Sequence, residues 1–409
     1  MFLSSCKLQC RLSVLDSVGF PFNEPVGKPG VRDIENGWIA ADVRTRFCLA
    51  PARTQGLDVS RVPAGIDIEE ERAAAAVLLG PQQIAEPLVE VERSQQGIPE
   101  VLFLGTGSAI PSKYRNVSAL MLHWSNAEYG DIMVDCGEGS VSQLARSLGS
   151  IEAARTRIYS LAFAWISHMH ADHHLGLLTL LAERVHKGNL PPLIVAGPSP
   201  LSNFLGEYSK ALGGDFGAKF AQSYVFLDCE AMLSQKQIGF EPPALRRLKE
   251  LAGLRAATSV SVVHCYKAYA LVLETLAGWK FVYSGDTEFC ADLVSEGNGA
   301  HVLVHEATFE DGKEDEAKDK KHSTISQALA AALGMQAKVV IFSHFSQRYP
   351  KNPPLPATAS GSTVPVFAFD LMSFQHHRAL EISRKAALFD ALLADSAAAD
   401  DDDEEASND

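Results

Sequence analysis

The sequence predicts a layered α/β fold in which helices cover the sheets, and three observations carry that reading. From residue 100 onward, short apolar runs bounded by Gly, Pro or Asn alternate with longer amphipathic stretches. Some runs follow one another with no helix between them, as antiparallel meanders do. The 409 residues are 46% hydrophobic and 21% charged, a globular composition with ample material for a core.

The elements follow in chain order. Residues 1–98 carry few signals. Residues 1–20 read as a ragged N-terminus; a targeting segment is the alternative, because Lys7 and Arg11 precede the first acid, Asp16. Residues 71–79 read as a helix stopped by Gly80 and Pro81, and 95–99 as a linker. Strands are expected at 101–104, 119–124 and 131–135, then a helix at 138–148. A strand at 161–167 runs into a histidine cluster. The helix at 171–187 follows, with Leu175, Leu178 and Ala182 on one face. Further expectations are strand 193–197, helix 200–212, strand 224–227, an amphipathic helix within 235–253, hairpin 260–273, strands 280–283 and 302–305, helix 323–333, and strands 338–342 and 364–369. This divides the chain into an N-terminal segment 1–98, a catalytic domain 99–377 and an acidic tail 378–409, with 395–409 disordered.

Composition excludes several classes. No run of 18 apolar residues occurs, so no membrane partner is expected. The seven Cys are scattered without a C-x-x-C, which argues against a disulfide framework or a cysteine zinc site and for a reducing compartment. Residues 395–409 hold eight acids and no base, so the net charge of −14 becomes −6 without them. The body is not basic, and nucleic-acid binding would rest on local patches.

Residues 166–174 read I-S-H-M-H-A-D-H-H. His168, His170, Asp172 and His173 fall within six residues at a strand end, and His174 reads as a packing residue. Imidazole nitrogen and carboxylate oxygen are the donors of a catalytic zinc or another divalent ion. Four residues do not complete two metal sites. His264, Asp286 and His344, each just after a strand, are the candidates for the rest, although singly each also suits a satisfied loop or core position.

Taken in order, H-x-H-x-D-H, then H, D and H, the pattern resembles the metallo-β-lactamase superfamily. More narrowly it is similar to the tRNase Z family over about 99–374. That similarity rests on F-L-G-T-G-S-A-I-P (103–111), P-S-K-Y-R-N (111–116), D-C-G-E-G (135–139), H-E-A-T (305–308), K-H-S-T (321–324) and H-F-S-Q-R-Y (344–349). The stretch 56–63 is similar to the region just before the catalytic half of the long, two-lobed form.

The resemblance implies an αββα sandwich and two zinc ions, or other divalent metals. One would lie on His168, His170 and His264, the second on Asp172, His173 and His344, with Asp286 bridging and Asp135 orienting the histidine loop. It implies Asp172 as general base, and His322 as proton donor held by Glu306. Lys113, Arg115 and Asn116 would meet the tRNA acceptor end, with Ser323, Thr324 and Arg348 as further contacts. Ser323 and Thr324 equally suit a helix cap. Lys318, Lys320 and Lys321 are candidates for a basic rim. The implied substrate is precursor tRNA, cut after the discriminator base to leave a 3′-hydroxyl. The implied location is intracellular: nucleus, mitochondrion or another organelle, or cytoplasm.

Two departures stand out. The stretch 199–259 carries no evident basic arm of the kind that grips the tRNA elbow, so either a homodimer or partner chain supplies it, or the chain is a shortened long form or part of a longer product. The sequence after 375 is unlike the family's usual close, and His376 and His377 are expected at the surface. A small-molecule ester or thioester hydrolase and a non-catalytic RNA-binding lobe are the competing readings.

Overall fold

The computed structural model describes residues 2–21, 31–34, 38–41, 46–48, 56–58, 68–79, 97–125, 128–234, 240–347, 362–389 and 391–392. Its centre is two stacked sheets. The first holds seven strands in the spatial order Tyr224–Asp228, Leu193–Gly197, Phe163–Trp165, Ile132–Cys136, Ala119–His123, Glu100–Gly105 and Ser373–Phe374. The second holds six: Leu254–Ser261, Tyr269–Thr275, Lys280–Tyr283, Val302–Glu306, Val339–Ser343 and Val364–Phe367. This is the mixed α/β sandwich expected of a metallo-β-lactamase fold.

Alternation along the strands builds the layers, because successive side chains leave opposite faces. Val101, Phe103, Leu120, Leu122, Ile132 and Val134 join the large core that also takes in the second sheet. Their neighbours Leu102, Leu104, Met121 and Met133 turn the other way, against Leu144, Ile158, Leu177, Leu180, Leu201 and Leu205 of the covering helices. On the second sheet, helices Ala291–Glu296 and Ile325–Gly334 pack in the same manner. Trp165 links the two sheets: its indole N–H donates to Ser259 Oγ at 3.2 Å, and its ring meets Tyr283 edge-on at 6.3 Å.

Several elements differ from expectation. The helix expected over 171–187 is two pieces, Ala171–His174 and Gly176–Lys187, and its Gly176 explains the join. A Cβ there would stand 2.1 Å from the carbonyl of Gly137, so only glycine lets this helix press onto the D-C-G-E-G loop. The short helices Ile151–Tyr159, Gly214–Gln222, Ala291–Glu296 and Glu314–Lys320 were not anticipated. The first of these did carry a signal, Ser150, which accepts from Ala153 N at 3.0 Å as its N-cap.

The largest differences lie at the ends. Residues 2–15 form a helix, not a ragged terminus, and bury Leu8, Leu12 and Leu15 at helical spacing. The helix has no acid in its first turn and no base in its last, so it lacks the usual boundary signals. Arg11 pairs with Glu71 of helix Ile68–Leu79 at 2.6 Å. At the other end, the stretch expected to begin an acidic tail at 378 packs inward. Arg378 donates to Asp16 Oδ1 at 2.8 Å, helix Ala379–Arg384 follows, and Phe389 meets Phe20 at 5.3 Å. His376 is half-buried beside His301, ring centres 5.9 Å apart, whereas His377 is exposed. Residues 393–409 lie outside the described residues.

Candidate metal centre

Topology brings the chemistry together. In the first sheet Ile132–Cys136, Phe163–Trp165, Leu193–Gly197 and Tyr224–Asp228 run parallel. In the second, Lys280–Tyr283, Val302–Glu306, Val339–Ser343 and Val364–Phe367 do the same. Loops after parallel strands gather at one edge, where open α/β sheets place their sites. His168, Asp172 and His173 follow the strand Phe163–Trp165; Asp286 follows Lys280–Tyr283; Glu306 ends Val302–Glu306; His344 follows Val339–Ser343. His264 arrives from the turn joining Leu254–Ser261 to Tyr269–Thr275, a turn closed by Val262 N–H on Ala268 O at 3.1 Å.

All seven candidate ligands meet there. His264 Nε2 lies 3.1 Å from His170 Nδ1. Asp286 Oδ2 stands 3.5 Å from His168 Nε2, 3.6 Å from His264 Nε2 and 3.4 Å from His173 Nε2. Its other oxygen is 3.4 Å from His344 Nε2. Asp172 Oδ2 lies 3.5 Å from His173 Nε2 and 3.4 Å from His344 Nε2, and accepts the Ala109 N–H at 2.7 Å. Asp286 thus faces both the trio His168, His170, His264 and the trio Asp172, His173, His344. Cys265, the neighbour of His264 in the chain and absent from the expected ligand set, stands with the first trio.

The donor set fits divalent cations on two independent grounds. His168 Nε2 and Asp286 Oδ1 are buried without a hydrogen-bond partner, a costly state for polar atoms unless a cation answers them. The electrostatics agree. Burial works against a charge on His173, yet Asp286, Asp135 and Asp172 pull its pKa well above the ordinary value. Burial would raise Asp172, but His173 and His344 hold it well below the usual carboxylate range. A pocket this rich in carboxylate draws positive charge.

Asp135 binds the ligand loops to one another. It accepts from Ser167 N–H at 2.7 Å, Ser167 Oγ at 2.8 Å and the Tyr283 hydroxyl at 2.8 Å, and its Oδ2 lies 2.7 Å from His173 Nδ1. Its own backbone is left-handed, φ 50°, as is that of His344 at φ 60°. Such strain concentrates at functional positions held by many contacts.

His322 and Glu306 form a pair at the rim, Nδ1 to Oε1 at 2.7 Å. Glu306 is fully enclosed, accepting also from Thr287 N–H at 3.0 Å and Thr308 Oγ at 2.8 Å. Burial opposes a charge on His322, but Glu306 raises its pKa to about 9. Its ring stacks on His344 at 5.5 Å and stands 4.7 Å from His264. Thr308, the last residue of the H-E-A-T stretch, ties this pair to His344 through a 2.8 Å contact with Nδ1.

The expected RNA contacts are placed differently. Arg115 turns inward between the Phe345 and Phe369 rings, 4.5 and 5.2 Å from their centroids, and donates to Ala368 O at 2.8 Å. Asn116 N–H donates to Asp370 at 2.5 Å, and its side-chain amide donates to Glu138 O at 2.9 Å. Both residues brace the loop that carries Lys113. Asp370 had no sequence signal; it also binds Thr106 and Gln143. Ser323 is buried and donates to Thr287 O at 2.6 Å, and Thr324 makes a capping box with Gln327. Thr324 thus takes the capping role, whereas Ser323 ties the His322 loop to Thr287 without capping the helix. Arg348 lies outside the described residues.

A family model described as Anti-Pycsar protein Apyc1 matches residues 99–353. Among curated proteins, the chain is 32% identical over 402 residues to tRNase Z TRZ3, mitochondrial, of Arabidopsis thaliana, which covers 82% of this chain and 45% of that protein. It is 40% identical over 280 residues to the human Zinc phosphodiesterase ELAC protein 2, covering 65% of this chain and 32% of that protein. The chain therefore spans less than half the length of these relatives. Among solved structures, a long form RNase Z from yeast superposes with a TM-score of 0.74 at 22% identity, over 96% of this chain and 62% of the other. The short form of human tRNase Z gives 0.51 at 23%, over 67% and 98%.

Proposed function

This chain belongs to the family described by the Anti-Pycsar protein Apyc1 model and is a homologue of tRNase Z, and on that premise we propose that it removes the 3′ trailer from precursor tRNA as a zinc-dependent endoribonuclease. His168, His170 and His264 would hold one ion and Asp172, His173 and His344 a second, with Asp286 facing both trios. Two such ions supply Lewis-acid stabilisation of a phosphoryl centre and a nucleophile at neutral pH. Asp135 fixes the ring of His173 in the orientation that presents Nε2 to the centre. Asp172 takes up the proton of the attacking water. His322, kept charged by Glu306, gives a proton to the departing 3′-oxygen of the tRNA, so the products are a tRNA 3′-hydroxyl and a 5′-phosphorylated trailer.

The observation that carries this reading is the 2.7 Å Glu306–His322 pair set against both ligand trios. An alkoxide leaving group needs such a donor. A thioester hydrolase with the same ligands expels a thiolate, which leaves without one, and this places the small-molecule reading second. The test is to incubate the zinc-loaded protein with a 3′-extended pre-tRNA and map the product ends. Cleavage after the discriminator base is expected; an intact substrate would overturn the proposal.

Two further parts belong to the same reading. The relatives named mitochondrial support an organellar location, which imaging of a fluorescent fusion checks. Among the described residues no helix is long and apolar enough to cross a membrane. Between 199 and 261 the described residues form helices Ser199–Leu212, Gly214–Gln222 and Pro243–Ala252 and two strands, with no protruding arm. The grip on the tRNA body is accordingly assigned to contacts beyond these residues, from a partner chain or from further sequence of a longer protein.

A further inference from the structure

Beside the centre, two loops that each carry a candidate ligand also expose large apolar side chains. The turn bearing His264 exposes Tyr266 by 76% and Val263 by 47%; the loop bearing Asp286 exposes Phe289 by 47%. Lys267 Nζ stands 5.9 Å over the Tyr266 ring, and both aromatic rings otherwise present much of their surface to water beside a polar centre. The loops are not slack. Val263 N–H donates to Thr287 Oγ at 3.2 Å, and Glu288 N–H donates to Val263 O at 3.1 Å. Cys290 Sγ reaches Ser261 O at 3.7 Å. The two segments are thus laced into one wall whose exposed residues are presented on a fixed backbone.

The wall lies on the His322 side of the centre. His264 Nδ1 is 2.8 Å from Lys321 O, Ser323 Oγ donates to Thr287 O at 2.6 Å, and the His264 and His322 rings are 4.7 Å apart. The loop from Ala109 to Asn116 meets the centre at Asp172, which accepts the Ala109 N–H.

We propose that Tyr266 and Phe289, flanked by Val263, form a stacking wall for the unpaired discriminator base, the last nucleotide that the tRNA keeps. This deepens the function proposed above and rests on it. There, His322 serves the 3′-oxygen of the retained nucleotide, so that nucleotide's base falls on the His322 side, against the wall. Proteins recognise unpaired RNA chiefly by splaying a base onto aromatic side chains, and such stacking tolerates any base. A wall of this kind sets the cleavage position without reading sequence.

The test uses the zinc-loaded full chain and pre-tRNA with either a normal or an abasic discriminator. Tyr266→Ala and Phe289→Ala should each lower kcat/KM by about 5- to 150-fold on the normal substrate. The abasic substrate should show a similar loss with wild-type protein and little further loss with either variant. Tyr266→Phe should restore the rate, and zinc content and thermal midpoint should be unchanged. A binding readout needs no cleavage: 2-aminopurine at the discriminator position should be quenched by wild-type protein and less by the alanine variants. Variants that cut and quench like wild type would overturn the wall while leaving the nuclease reading intact. Quenching without any cleavage would keep the wall and remove the nuclease reading.

Discussion

Asp286 faces both trios, so its loss should damage both at once. Asp286→Ala and His168→Ala are each expected to abolish cleavage with the fold retained, and elemental analysis should show metal content falling from about two ions per chain. Asp286→Ala should lose the larger share. Chelation should act likewise, and added zinc should restore activity; full activity in chelated protein would refute the metal assignment. His322→Ala is expected to cost roughly 10²–10⁴-fold in kcat, the scale of general acid catalysis, with KM little changed. Glu306→Gln should follow more mildly, since a neutral amide still accepts from His322 Nδ1. An equal rise in KM would make His322 a binding residue instead. At this scale the sequence was most legible where ligands cluster: the H-x-H-x-D-H run and the residues after three strands are the residues that meet in space. It was least legible where one residue serves another across the chain. Tyr283 and Asp370 act through contacts made 148 and up to 264 positions away, and nothing in their local spacing announces such a role.

Helices and strands differ in how well their signals are written. Buried parallel strands appear as uninterrupted apolar runs, so their existence and order could be read directly. Short helices such as Glu314–Lys320 bury one residue, Ala317, and leave almost no periodicity to detect. The helix Ile325–Gly334 begins three residues after His322, and its start is fixed by the Thr324–Gln327 capping box. Thr324→Ala should cost about 1 kcal/mol of stability by denaturant titration. Because the cap and His322 are only two residues apart, the same change should lower kcat more than metal content. The loop from Ser112 to Asn116 depends on Asp370, which receives N–H groups of Thr106 and Asn116. Asp370→Ala should therefore raise KM for RNA without displacing the ions.

Across the whole chain, chemistry and substrate grip are separable. All seven candidate ligands lie among the described residues, whereas the body carries only −6 of net charge once the acidic 395–409 stretch is set aside, and the described residues show no basic arm. Phosphate neutralisation supplies much of nucleic-acid affinity, and it weakens steeply with salt. The isolated chain is expected to cleave full pre-tRNA and a short acceptor-stem hairpin with kcat/KM values within a few-fold of each other, and with a shallow salt slope. A strong preference for the full substrate would locate a body-gripping surface in this chain, with helix Pro243–Ala252 and its Arg246, Arg247 and Lys249 the first region to alter.

The packing of Phe20 on Phe389, and of Asp16 on Arg378, bears on how the molecule can be taken apart. Cuts drawn from the motifs alone, near 99 and 377, would strip away Leu8, Leu12, Leu15, Phe389 and Leu392 and leave their apolar partners facing water. A fragment trimmed in that way keeps every ligand yet should aggregate. Protease digestion of the intact chain should instead spare both terminal helices until the whole molecule opens.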